Sequence, residues 1–278
     1  MLDLRAAERM KLVRHKASWG LVWIFPLGLT LLYLGAIAWR LTHPATPLHG
    51  LPPANAAMWI RDSASLWKAP GSGPGRCLIG AFAALAFGGE YGWNTWKLVA
   101  PHRSRVSLLV AKYVVVLGML MFAFVLMAAL GALLGCLKAA LIGPALPAGI
   151  SLEALLGAHA RAAVGVFVST LLTVAYASAG ALLLRSAMAG TVAAVAAVIL
   201  EGLAWPFAPL LNRQFYLTLP SYHVGNLKQW INDGSAQMQP LPSGLLRLDW
   251  SVSLAVIALW IVLLIAVAIT AFQRQDLN

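Results

Sequence analysis

What most constrains this chain is a succession of apolar runs, each about as long as a bilayer is thick. A run of roughly 18 or more residues that is almost free of charge is a membrane-helix candidate, and several occur here. The first covers residues 19–39, whose rise of about 32 Å is enough to cross the hydrocarbon core. Trp19, Trp23 and Trp39 stand where indole rings favour the two interfaces. Further spans are expected at about 76–89, 107–136, 153–184, 187–205 and 249–272. With 60% hydrophobic and only 10% charged residues, the chain falls far below the charge content of about 25% usual in soluble domains. The expected fold is an all-α integral membrane protein, one transmembrane domain of six helices over residues 1–278.

The segments between the spans have their own chemistry. Residues 1–18 are basic, with Arg5, Arg9, Lys11, Arg14 and Lys16, while Leu2, Ala6, Met10, Val13 and Ala17 share one face at helical spacing. That pattern predicts an interfacial helix on an anionic surface. A signal peptide is disfavoured because the following apolar run is too long and more spans follow. Residues 40–75 are rich in Pro and Gly, with a short interfacial helix expected over 54–67, and residues 138–151 form a second such loop. Arg185 and Ser186 make a tight turn, Ser186 being placed to cap the next helix. Pro206 and Pro209 end that helix, and residues 210–248 read as the longest exposed segment.

The net charge of +11 does not point to nucleic acid, because no basic soluble domain is present to carry a patch. Lys and Arg instead cluster near span ends, above all in residues 1–18 and 90–112, which places both termini and the 90–112 stretch on the cytoplasmic side. Cys77 and Cys136 are too few for a disulfide framework or a zinc site. Both fall near outer span ends, where a pairing is conceivable, but small apolar packing residues are the better reading. No phosphate-binding loop, zinc-protease motif or nucleophile elbow occurs, so neither ATP hydrolysis by that route nor hydrolase chemistry is supported in this chain.

Ionisable groups inside spans are costly and therefore candidates for function. Glu201 stands out. Arg161, on the preceding helix, is not its expected partner, since counting outward from Arg185 leaves the two about 12 Å apart in depth. Glu201 is expected about one turn inside the outer end, near Arg213 or a second subunit, as a structural ion pair or a substrate- or gate-contacting group. The small residues of the fifth span, among them Ala187, Gly190, Ala193 and Ala194, and Gly131 and Gly135 of the third, favour close helix packing within the chain, with a dimer seam as the alternative.

The polar stretch from Gly89 to Lys112 needs its own explanation. It carries Glu90, Trp93, Trp96, Lys97, Pro101, His102, Arg103, Arg105 and Lys112 between two apolar runs. A basic, aromatic membrane-anchoring loop accounts for the charges, but not for the acid at its start or the Pro-x-Arg-x-Arg ending. In this stretch the sequence resembles the permease subunits of type-2 ABC transporters, the lantibiotic-immunity and drug-export branch included. Those permeases have six spans, cytoplasmic termini and a basic first helix. After the second span they carry Glu, then Gly-Thr, hydrophobics, Pro, Arg and, in the third span, Lys. Glu90, Thr95, Trp96, Lys97, Leu98, Pro101, Arg103 or Arg105, and Lys112 occupy that pattern. Asn94 stands where Gly is usual, and the stretch from Thr95 to Pro101 is shorter than the family's.

The resemblance implies that residues 90–105 form a coupling helix docking on a separate P-loop ATPase, present in two copies and holding the ATP and magnesium. It also implies a re-entrant outer segment within 206–248 and a second permease, identical or related. No cofactor is expected in this chain, and it is not expected to be an enzyme alone. The implied setting is a bacterial inner membrane and the implied cargo is amphipathic: a drug, peptide or lipid-like molecule. The rival reading is a secondary carrier or channel using Glu201 as an ion or proton site. A membrane-embedded enzyme is disfavoured by the lack of any acid, nucleophile or metal cluster.

Overall fold

A computed structural model describes residues 2–43, 55–92, 104–142, 145–204, 207, 213–241 and 244–275. Within them the chain is almost wholly helical: α1 (Leu2–Arg14), α2 (Lys16–Val22), α3 (Ile24–Thr42), α4 (Ala56–Ala64), α5 (Lys68–Gly71), α6 (Gly73–Gly92), α7 (Arg105–Ile142), α8 (Leu152–Leu183), α9 (Ala187–Leu203), α10 (Arg213–Thr218), α11 (Pro220–Asp233) and α12 (Trp250–Gln273). A small antiparallel hairpin, β1 (Gln239–Leu241) and β2 (Gly244–Leu246), sits between α11 and α12.

Four helices, α3, α7, α8 and α12, are long and apolar enough to cross a membrane. Their outward sides are bare hydrocarbon: Leu32 is 73% exposed on α3, Phe122 62% on α7 and Val262 62% on α12. Apolar surface on that scale has no place in water, and helices satisfy their own backbone groups in lipid. The chain is therefore an all-α, multi-pass membrane protein. At 38 residues, α7 extends about 57 Å, well beyond a hydrocarbon core of about 30 Å. α6 and α9 are not among the four spans: α6 carries charge at both ends, and α9 has only 17 residues.

Several expectations are refined by local chemistry. The first span is not continuous from residue 19. The helix breaks at Trp23, and α3 restarts with Pro26 in its first turn, where a missing N–H is tolerated. Trp23 stacks on Trp19 and meets Phe122 edge-on, so it packs against the protein. In α1 the face turned to the protein is the Glu8–Leu12 face, whereas Met10 and Val13 of the expected apolar face are exposed. The short helix expected over 54–67 is present as α4 and a 3-10 turn, Ser65–Trp67.

The turn at Arg185 and Ser186 forms as expected. Ser186 N donates to Ala181 O at 3.0 Å, closing α8 in a Schellman arrangement with Arg185 in the left-handed region, φ 52°. Ser186 Oγ then accepts from Ala189 N and opens α9. The small residues pack within the chain. A Cβ added to Gly80 of α6 would lie 2.6 Å from Ala194 Cβ, and one added to Gly190 of α9 would lie 2.7 Å from Ala177 O of α8. These glycines let α6, α8 and α9 close into one three-helix core. Gly131 lies against Leu66 and Leu29, again intrachain.

The stretch 210–248 departs most from its reading as an exposed loop. Tyr216, Tyr222, His223 and Asn226 are fully buried in α10 and α11. Asn226 binds Leu248 O, Ser253 Oγ and Gln237 N, fastening α11 to both the hairpin and α12. Cys77 and Cys136 are free thiols.

Candidate functional site: two buried charge clusters

Buried charge collects at two places, near opposite ends of α6. The first lies where α6 ends and α7 begins. Glu90, in the last turn of α6, is 4% exposed; Lys112, two turns into α7, is 2% exposed; Glu8 of α1 is 4% exposed. Lys112 Nζ donates to Glu8 Oε2 at 2.8 Å, Glu90 Oε1 at 3.0 Å and Ala86 O at 3.0 Å. Lys11 Nζ reaches Glu90 Oε1 at 2.9 Å and Glu8 Oε1 at 3.1 Å. Two carboxylates thus meet two ammonium groups, and the buried charge cancels locally, as burial requires. Burial alone would lower the Lys11 ammonium, but its bond to Glu90 and the charges of Glu8 and Glu90 hold it above the ordinary lysine value.

Beside this cluster the end of α12 is fastened down. Arg105, the first residue of α7, donates through Nη1 to Phe272 O, Gln273 O and Gln275 O at 2.7–2.8 Å, with its guanidinium over the Phe272 ring. Cations at a helix C-terminus answer its unpaired carbonyls. Gln275 is held from two further sides, accepting from Tyr91 Oη and donating to Leu182 O.

Of the residues singled out for coupling, the structure therefore places Glu90 and Arg105 in intrachain contacts at one end of the bundle. Thr95, Trp96, Lys97, Pro101 and Arg103 lie outside the described residues. Glu8 and Lys11 were missed as partners of this site. Their signal was present as an acid and a base three residues apart in an amphipathic segment, but their target on α6 is not legible from spacing.

The second cluster gathers around Glu201, 5% exposed on α9. Among the described residues its partners come from α6 and α8. Arg76 Nη1 of α6 donates to Glu201 Oε2 at 2.6 Å, and Tyr176 Oη of α8 donates to Oε1 at 2.9 Å. Arg76 Nε also donates to Thr173 Oγ1 at 2.9 Å. The depth argument against Arg161 agrees with the structure, where Arg161 is exposed on α8 and Glu201 is turned inward. Arg76 escaped notice because it sits at a span end, where arginine is ordinarily solvated.

Lys228 of α11 approaches the same region. Its stem lies over Gly165 of α8, and its Nζ comes within 3.3 Å of where a Gly71 Cβ would stand. Burial, and then the nearby Arg76 charge, push its ammonium down to about 8.

A separate cavity of about 440 Å³ opens between α3, α4 and α7. Leu29, Tyr33, Trp59 and Gly135 line it together with Asp62 and Lys138. No group of His, Cys, Asp and Glu fit to hold a metal ion occurs among the described residues. Compared with protein-family models, characterised proteins and solved structures, the chain matches none of them.

Proposed function

We propose that this protein is the permease subunit of an ABC exporter in a bacterial inner membrane. In this reading six helices cross the bilayer: α3, α6, α7, α8, α9 and α12. Both termini are cytoplasmic, and α10, α11 and the hairpin form the outer, partly re-entrant segment. Two P-loop ATPases, which hold ATP and magnesium, dock on residues 90–105. A second permease completes the assembly, and the cargo is an amphipathic drug, peptide or lipid-like molecule.

The observation that carries the reading is the four-charge cluster of Glu8, Lys11, Glu90 and Lys112. It fixes α1, α6 and α7 to one another at the two roots of residues 93–103. A force applied to that segment by a partner would pass into the packed helices rather than dissipate in a loose loop. The amphipathic cargo finds support in the cavity between α3, α4 and α7, whose apolar wall carries one acid and one base.

The carrier reading needs an acid free to load and release an ion. Glu201 is instead engaged by Arg76 and Tyr176, which counts against it. The test is to look for a P-loop ATPase gene beside this one and to co-express the two proteins. The ATPase is expected to co-purify, and the double charge reversal Lys97→Glu, Arg103→Glu is expected to release it while the permease keeps its melting temperature. Transport driven by a proton gradient with no need for ATP would overturn the reading.

A further inference from the structure

We propose that the junction where α6 begins, between α5, α8 and α11, is a binding site for an anionic group, a phosphate or carboxylate, with Arg76 and Lys228 as its cationic ligands. The inference stands independently of whether an ATPase docks at the other end of the bundle.

The site is built along one face of α8. Gly165, Ser169 and Thr173 recur four residues apart, so they lie one above another on the helix. Lys228 crosses at Gly165, where its Cγ would be 2.8 Å from an added Cβ; its Nζ ends beside Gly71. Arg76 meets the same face one turn farther on, at Thr173. The spacing of Ser169 and Thr173 along the axis is about 6 Å. Two cations are thus brought to neighbouring turns of one helix.

Their charges are not balanced. Glu201 answers Arg76, and no carboxylate among the described residues lies within ion-pair distance of Lys228. The depressed Lys228 ammonium is the expected response of a half-buried cation beside a second cation and without a counter-ion. Arg76 supplies the second sign: its Nη2 is buried and has no hydrogen-bond partner. A guanidinium nitrogen shut away from water without an acceptor is costly, and an oxyanion is the acceptor it suits best.

The helix start adds to the field. Ser72 Oγ accepts from Gly75 N at 3.2 Å, and Arg76 lies in the first turn of α6, where the helix dipole also favours negative charge. Ser72, Gly73 and Pro74 are exposed, which leaves an approach from the surface. An anion bound here has two sources, a lipid headgroup or a free small anion, which share the same chemistry.

The test uses the full chain, stripped of lipid in a neutral detergent. Dihexanoyl phosphatidylglycerol, dihexanoyl phosphatidylcholine and inorganic phosphate are titrated, and acetylation of Lys228 is followed by mass spectrometry with exposed Lys68 as the internal reference. Phosphatidylglycerol is expected to bind in preference to phosphatidylcholine and to slow Lys228 acetylation while Lys68 is unaffected. Lys228→Gln should weaken binding about tenfold, the factor of one charge-assisted hydrogen bond, and Lys228→Arg should retain it. Displacement by inorganic phosphate identifies a free-anion site; its failure to compete identifies a headgroup site. Unweakened binding by folded Lys228→Gln, or Lys228 acetylation unchanged by both phosphatidylglycerol and inorganic phosphate, would each overturn the proposal. The labelling arm reads the wild-type chain and so stands even if the variant does not fold.

Discussion

Lys112 of α7 and Glu8 of α1, separated by 104 residues of sequence, meet at 2.8 Å with their side chains 2% and 5% exposed. The first helix is thereby tied to the bundle by an ion pair shut away from solvent, not merely laid on a surface by its apolar face.

Removal of Lys112 is expected to be more damaging than removal of Lys11. Lys112→Met leaves Glu8 and Glu90 facing each other with only Lys11, whose side chain is 40% exposed, between them. Leaving a buried charge uncompensated costs about 3–5 kcal/mol, while the solvent-shared Lys11→Met should cost about 1 kcal/mol or less. Denaturation in mixed micelles orders the two. Equal losses would show that the cluster does not stabilise the fold through Lys112.

Arg76 and Glu201 should behave as one unit. Arg76→Gln and Glu201→Gln are each expected to destabilise by about 3 kcal/mol, and the double variant by clearly less than the sum. A double-mutant cycle on thermal unfolding measures the coupling. Additive losses would mean that the two side chains do not meet in the folded chain.

Arg105→Gln is expected to loosen the end of α12. Three carbonyls lose their donor, so amide exchange over residues 270–275 should quicken at least severalfold with little change in the middle of α12. Unaltered exchange would show that the cap does not hold the helix end. Since Arg105 is committed to α12, charge reversal there would mix a docking effect with a structural one.

Acid should selectively weaken the α10–α11 unit. His223 is fully buried, its Nε2 donating to Leu217 O (3.0 Å) and its Nδ1 bonded to Ser253 Oγ (3.1 Å). Burial holds its imidazole below the ordinary value of 6.5, against a smaller opposing effect of the Leu217 carbonyl. As pH falls through 6.5 the unfolded chain takes up a proton that the folded chain refuses, so stability falls until the folded pKa is passed. His223→Gln should flatten the pH dependence of unfolding between 5 and 7 (a window set by the ordinary value of about 6.5). A slope unchanged by the substitution would assign it elsewhere.

Much of the fold was legible because hydropathy and capping act locally. The spans at 153–184 and 249–272 appear as α8 and α12 with near-identical bounds, and Ser186 and Asp249 cap as their types dictate. What escaped were facts that depend on a distant partner. A buried Tyr216 or His223 looks polar in sequence and becomes interior only once α11 packs on α12. Arg76 looks like a span-end arginine until Glu201 meets it. The outward face of α1 was misassigned for the same reason, because its inward face holds Glu8, an acid whose burial makes sense only opposite Lys112.

The pairing of Arg76 with Glu201 also sets a timetable. The two lie 125 residues apart, and at roughly 5–20 residues per second a ribosome needs about 6–25 s to make the second after the first. Throughout that interval α6 exists without the acid that Arg76 meets in the folded chain. The core of α6, α8 and α9 therefore closes only once Glu201 has been made.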